Sequence, residues 1–181
     1  MRRKAWIPTA AGAALLAFMG LGALAIVQSP AAGERLLKLC AQGNIAEVQL
    51  GRLAIARSSN PAVLTLGSRL VQDGAAGAAS LRTLAAMMHV RLPTAPDGLQ
   101  KQRITQLSRL RGAAFDRGFE RIARAQERRM LRRLHSGAST ARNAAVRYTI
   151  RNMIPAIEEH LRIATPLPIR EASTTTAGAM R

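Results

Sequence analysis

Glu47, Asp73, Glu127 and His160 each fall on an otherwise apolar helical stripe. Glu47 precedes Leu50 and Ala54 at helical spacing, and Asp73 sits between Leu66, Leu70 and Gly77, Leu84. Glu127 lies between Ala123 and Met130, Leu131, while His160 follows Ile150, Met153 and Ile157. An ionised carboxylate facing a core is costly unless it is paired, protonated or bound to a metal. Carboxylates and imidazole are the donors that iron and zinc accept, so these four residues are the candidate metal ligands. A plainer reading stands beside it: buried or boundary polar residues satisfied by arginine or water. A carboxylate-bridged di-metal centre would need Glu-x-x-His on two helices. Glu158-Glu159-His160 is contiguous instead, so its side chains diverge around the helix.

Helical rise tests whether the four meet. Counted from the turn near residue 60, Glu47 lies about 15 Å and Asp73 about 18 Å along their helices, and Glu127 about 21 Å along its own. Three carboxylates then share one level. With a turn at "SGAS" (136–139), Tyr148 is the residue level with Glu127. His160 is expected about 18 Å further along, near Asp116. A single metal site is therefore either Glu47 with Asp73 and Glu127, or His160 with Asp116.

A second constellation is basic. "FDRGFERIARAQERRMLRRLH", residues 115–135, places Arg117, Arg121, Arg124, Arg128 and Arg132 in one stripe, opposite Phe115, Phe119, Ile122, Met130 and Leu134. This is an amphipathic helix with a solvated arginine face. The functional alternative is docking on anionic envelope material such as the phosphates of lipid or lipopolysaccharide. The stripe lacks aromatics that would stack on bases, which counts against single-stranded nucleic acid.

The elements that position these residues read as helices. Aromatics are only 3% of the chain, and alanine and leucine fill the apolar positions, which favours helix over strand. Long helices are expected at 34–57, 61–90, 113–135 and 140–164, with a shorter one at 99–110 inside the crossover. Asn60 and Pro61 mark a helix start, as N-cap and first-turn residues. "RLPTAPDG" breaks the pattern, and Pro155 is expected to kink the last helix. This is an all-α, four-helix bundle of ferritin-like topology, with one longer crossover containing a short helix.

The chain carries 27 Lys+Arg against 10 Asp+Glu, a formal charge of +17. Such a field draws polyanions. One cysteine, Cys40, excludes an intramolecular disulfide and a cysteine-based zinc site. It reads as a small buried apolar residue, with a reactive or intermolecular thiol as the alternative. Arg2, Arg3 and Lys4 precede an uncharged, largely apolar run to about Val27, and Ala23-Leu24-Ala25 fits a cleavage site. Residues 1–31 are thus expected to be an export signal, or an uncleaved membrane anchor. Residues 34–165 form the helical domain, and 166–181 a tail rich in Thr, Ala and Pro. Export to the periplasm or envelope of a Gram-negative bacterium also argues against nucleic acid.

Four stretches carry a resemblance: "AEVQLGRLAIARSSNPAV", "LVQDG", "LSRLRGAAFDRGF" and "MIPAIEEHL". In this order over residues 35–165 the chain is similar to a bacterial family of unknown function. That family is commonly labelled predicted outer-membrane or periplasmic protein and is placed with ferritin-like bundles. The resemblance implies three histidines, of which His160 alone is kept. Gly74 stands where the family has histidine after the aspartate, and Glu127 where it has a second. Any histidine metal site of the family is thus lost or altered here.

Together these features describe an exported bundle with a non-catalytic binding or structural role on anionic surfaces and no required cofactor. The alternative is a protein of metal-dependent redox or storage function, holding divalent iron or zinc. The two separate experimentally. Anion binding weakens steeply with added salt, whereas metal binding weakens mainly as pH falls and ligands protonate.

Overall fold

A computed structural model of the chain describes residues 30–164. The expected tail, and the expected leader but for its last two residues, lie outside the described residues. Five helices and no strand are present among the described residues: α1 (Pro30–Arg57), α2 (Pro61–Met87), α3 (Gly98–Ser108), α4 (Gly112–Thr140) and α5 (Ala144–Ile163). α1 packs on α2 and α4, and α5 packs on α4 and α2, while α3 lies in the crossover against α1 and α4. The arrangement is compatible with a four-helix bundle. Among the described residues no helix is long and apolar enough to cross a membrane.

The first turn forms as the sequence dictates. Asn60 Oδ1 accepts from Ala62 N at 3.0 Å, and Pro61 opens α2 without needing a donor. Ser58 Oγ donates to Asp116 Oδ1 at 2.7 Å, which ties this turn to the start of α4. α2 closes with His89 at φ 54, its N–H on Ala86 O and that of Val90 on Ala85 O. That is the double closure usually given to glycine. Asp97 and Gln100 form a reciprocal capping box on α3.

The second turn differs from expectation. "SGAS" does not turn the chain; α4 continues through it to Thr140, and α5 starts at Ala144. Gly137 is there for close packing. A Cβ on it would meet Leu36 Cδ2 at 2.4 Å and Ile150 Cδ1 at 3.2 Å. Ser139 and Thr140 hydroxyls return to Ser136 O within the helix. The true start signal is Asn143, whose Oδ1 accepts from Ala145 N and Val146 N. α5 then runs on through Pro155, whose missing N–H leaves the Arg151 carbonyl without its helical donor.

The core is in two blocks. One gathers Leu37, Cys40, Leu81, Met130, Leu134 and Ile150 with their neighbours. The other gathers Leu50, Leu66, Leu70, Phe115, Phe119 and Ala123 with theirs. Burial pushes the Cys40 thiol up to about 12, with Glu47 adding to it and Arg133 opposing it, so Cys40 is a neutral packing residue.

α1 and α2 approach through glycine. A Cβ on Gly51 would lie 2.4 Å from Gly67 O, a backbone atom that cannot swing aside, whereas one on Gly33 meets nothing within 4 Å among the described residues. Both are helical, so propensity alone favours alanine at each by up to about 1 kcal/mol. Urea unfolding should show Gly33→Ala stabilised by that amount. Gly51→Ala should be destabilised by about 1–3 kcal/mol, because overpacking outweighs propensity.

Candidate functional site

Between the two apolar blocks lies a polar layer. On α1 it is Asn44 and Glu47, on α2 Asp73, on α4 Glu127, and on α5 His160. Each helix passes from one block to the other across these positions: Ala41 to Leu50, Leu70 to Leu81, Ala123 to Met130, and Ile157 to Ala164. Asn44, Glu47, Glu127 and His160 are at most 1% exposed, and Asp73 is partly exposed.

His160 is the hinge of the layer. Its Nε2 lies 2.9 Å from Asp73 Oδ2, and its Nδ1 lies 3.5 Å from Glu127 Oε2. The placement corrects the expected one, which set His160 about 18 Å from Glu127. Glu127 is thirteen residues before the end of α4, and the thirteenth position beyond Ala144 in α5 is Ile157. His160 is one helical turn further on, within side-chain reach. The late turn at 141–143 makes this difference. The alternative pairing of His160 with Asp116 is not formed; Asp116 is held by Ser58.

Glu47, Glu127 and His160 offer one oxygen or nitrogen each, all within 4.8 Å of one another. Ligands at about 2.0–2.1 Å around a zinc-sized ion stand about 3.3 Å apart in a tetrahedron, so a modest contraction completes the geometry. Glu47 Oε1 and Glu127 Oε1 are buried without a hydrogen-bond partner among the described residues, as is Asn44 Nδ2. Each such atom costs about 1–3 kcal/mol. Asp73 on Nε2 leaves Nδ1 as the nitrogen facing Glu127. A carboxylate on the far nitrogen is the arrangement that orients metal-bound histidines. The residues present therefore fit a divalent ion, with Asp73 orienting the imidazole rather than ligating.

The layer's protonation follows from its burial. Desolvation, with Glu127 and Asp73 adding repulsion, holds the Glu47 carboxyl well above the usual range. Desolvation also raises Glu127, against the opposing hydrogen bond and charge of His160. Burial alone would depress His160, but Glu127 and then Asp73 outweigh it and raise its pKa.

A cavity of about 300 Å³ opens onto this layer. Asn44, Glu47, Asp73 and His160 form its inner wall, with Tyr148 and Asn152 further out. Gly77 makes room for Asn44: a Cβ there would sit 2.6 Å from Asn44 Nδ2. Asn44 escaped the sequence reading, although it stands three residues before Glu47 on the same stripe.

The arginine stripe is a separate feature. Arg117, Arg121, Arg128 and Arg132 are exposed, and Arg124 is half-buried and bonded to Glu120 at 3.0 Å. Phe115, Phe119, Met130 and Leu134 are buried opposite, and Ile122 is partly so.

Residues 23–167 match the family model described as a domain of unknown function, DUF4142. No curated protein and no solved structure matches the chain.

A carboxyl kept in a core for binding weakens the protein when nothing is bound. In metal-free protein, Glu47→Leu should raise unfolding stability by about 1–3 kcal/mol, by removing an unsatisfied buried oxygen. His160→Leu should lower it by about 3–5 kcal/mol, because Glu127 and Asp73 lose their shared partner. Equal losses in both variants would mark the layer as ordinary packing.

Proposed function

This chain belongs to the DUF4142 domain family, and within that family we propose that it is a divalent-metal-binding protein. Glu47, Glu127 and His160 are the ligands and Asp73 is the residue that orients His160. The observation that carries this reading is the convergence of three buried donors, two of them with unpartnered carboxylate oxygens. Two ionised glutamates match the charge of a divalent cation, and a carboxylate–imidazole donor set suits iron or zinc. Bound iron would supply redox chemistry and bound zinc Lewis acidity. The chain's own part is to hold the ion, orient His160 and control access through the cavity beside Asn44. The reading includes the ferritin-like arrangement of α1, α2, α4 and α5 and export to the cell envelope. The basic start and apolar run of residues 2–27 support the latter.

The proposal has a thermodynamic signature. Glu47, Glu127 and His160 all have pKa values raised in the folded chain. The folded state therefore holds more protons than the unfolded state above the ordinary glutamate value of 4.5. Metal-free stability must then fall as pH rises through the raised values. A metal displaces those protons, so its stabilisation grows over the same interval. Melting temperature against pH should slope downward in chelator and turn upward with excess zinc or ferrous ion. Glu127→Gln and His160→Ala should abolish the reversal. They should also reduce to background the stoichiometric metal of protein purified without chelators. Wild-type protein that shows neither bound metal nor reversal would refute the reading.

A further inference from the structure

A second cavity, about 480 Å³ and more open, lies between α1 and α4 in the half of the molecule that holds the α1 N-terminus. Its walls bring together Arg35 from α1 with Arg129, Arg132 and Arg133 from α4, beside Leu36 and Leu39. Among the described residues no carboxylate lines it. None of the four arginines makes an ion pair among the described residues. Four uncompensated guanidinium groups around one groove repel one another, and an anion relieves that repulsion. Arg132 is shared with the arginine stripe of α4, whose other members, Arg117, Arg121, Arg124 and Arg128, do not line this groove.

We propose that this groove takes the phosphate headgroup of an anionic phospholipid. Guanidinium forks match phosphate oxygens two at a time, which favours phosphate over an unbranched anion. Leu36 and Leu39 are partly buried and apolar, and offer a wall to the first carbons of an acyl chain. Position supports the same ligand. Ala32 lines the groove, and the apolar run of the sequence ends at about Val27, five residues earlier. Wherever that run attaches the chain to a membrane, the groove is at the attached end. The inference is independent of the metal layer.

The test is calorimetric titration of the full chain, in neutral detergent, with dihexanoyl phosphatidic acid, dihexanoyl phosphatidylcholine and inorganic phosphate. Phosphatidic acid should bind at least about tenfold tighter than either comparison ligand, since only it joins an accessible phosphate to an apolar tail. Arg35→Gln with Arg132→Gln removes two exposed charges from the groove and should weaken binding at least about tenfold. Arg117→Gln with Arg121→Gln removes the same charge from the stripe and should change it less than about twofold. All four positions are exposed, and circular dichroism checks that each variant stays helical. Equal losses in the two double variants would overturn the groove in favour of net charge alone. Inorganic phosphate binding as tightly as the lipid would overturn the lipid assignment.

Discussion

Placing charge inside a helical bundle sets the terms for everything around it. Glu47 and Glu127 are 1% and 0% exposed, where an isolated carboxylate would rather take up a proton than stay ionised. The chain accommodates them by putting Glu47, Glu127 and the buried His160 at one level, so that the helices are interrupted in register, while the other buried acid, Asp116, is held separately by Ser58. Apolar blocks on either side supply the burial that holds the helices together. Glycines at 51, 67 and 137 let helices approach closely within those blocks.

Within the layer, one imidazole serves two helices. His160 sits between Asp73 and Glu127, and so links α2, α4 and α5 through a single side chain. Glu47 Oε1 on α1 and Glu127 Oε1 on α4 have no such partner among the described residues. A network built only for stability would have its last member bonded, because a half-satisfied buried network is worse than an apolar one. Asp73, His160 and Glu127 brace one another through the imidazole, while Glu47 lines the cavity that reaches the layer.

Much of this was legible in the sequence, and the rest was hidden for identifiable reasons. One ionisable residue on each apolar stripe is a periodicity signal, and residue counting from the Asn60–Pro61 start placed Glu47, Asp73 and Glu127 at one level. The count failed for His160 because Ser136-Gly137-Ala138-Ser139 has the composition of a turn. In the fold Gly137 is a contact surface for Leu36 and Ile150, and contact across helices overrides local propensity. Asn143, the true cap, had no distinguishing neighbours. The arginine stripe was visible because it repeats along one helix. The groove of Arg35 and Arg129 was not, because periodicity describes one helix at a time and the groove is made by two.

The distribution of charge also constrains how the two cavities work. The chain has 27 basic residues, so a dissolved cation meets a repulsive field over most of the surface. The cavity at the polar layer is lined by no arginine or lysine; Asn44, Ser80, Tyr148, Thr149 and Asn152 surround its carboxylates. Arg69 stands beside it, 3.9 Å from Asp73, so the approach to the layer is largely through uncharged groups with one guanidinium at its edge. The groove between α1 and α4 has the opposite lining, four arginines and no acid. Low-dielectric walls focus each field locally, and the two linings differ in sign within one small helical domain. Neutralising the groove with an anion would also lower the general repulsion that an approaching metal ion must cross. In the two proposed roles the cavities share no residue, so any influence of one on the other would be electrostatic and would weaken as salt shortens the screening length.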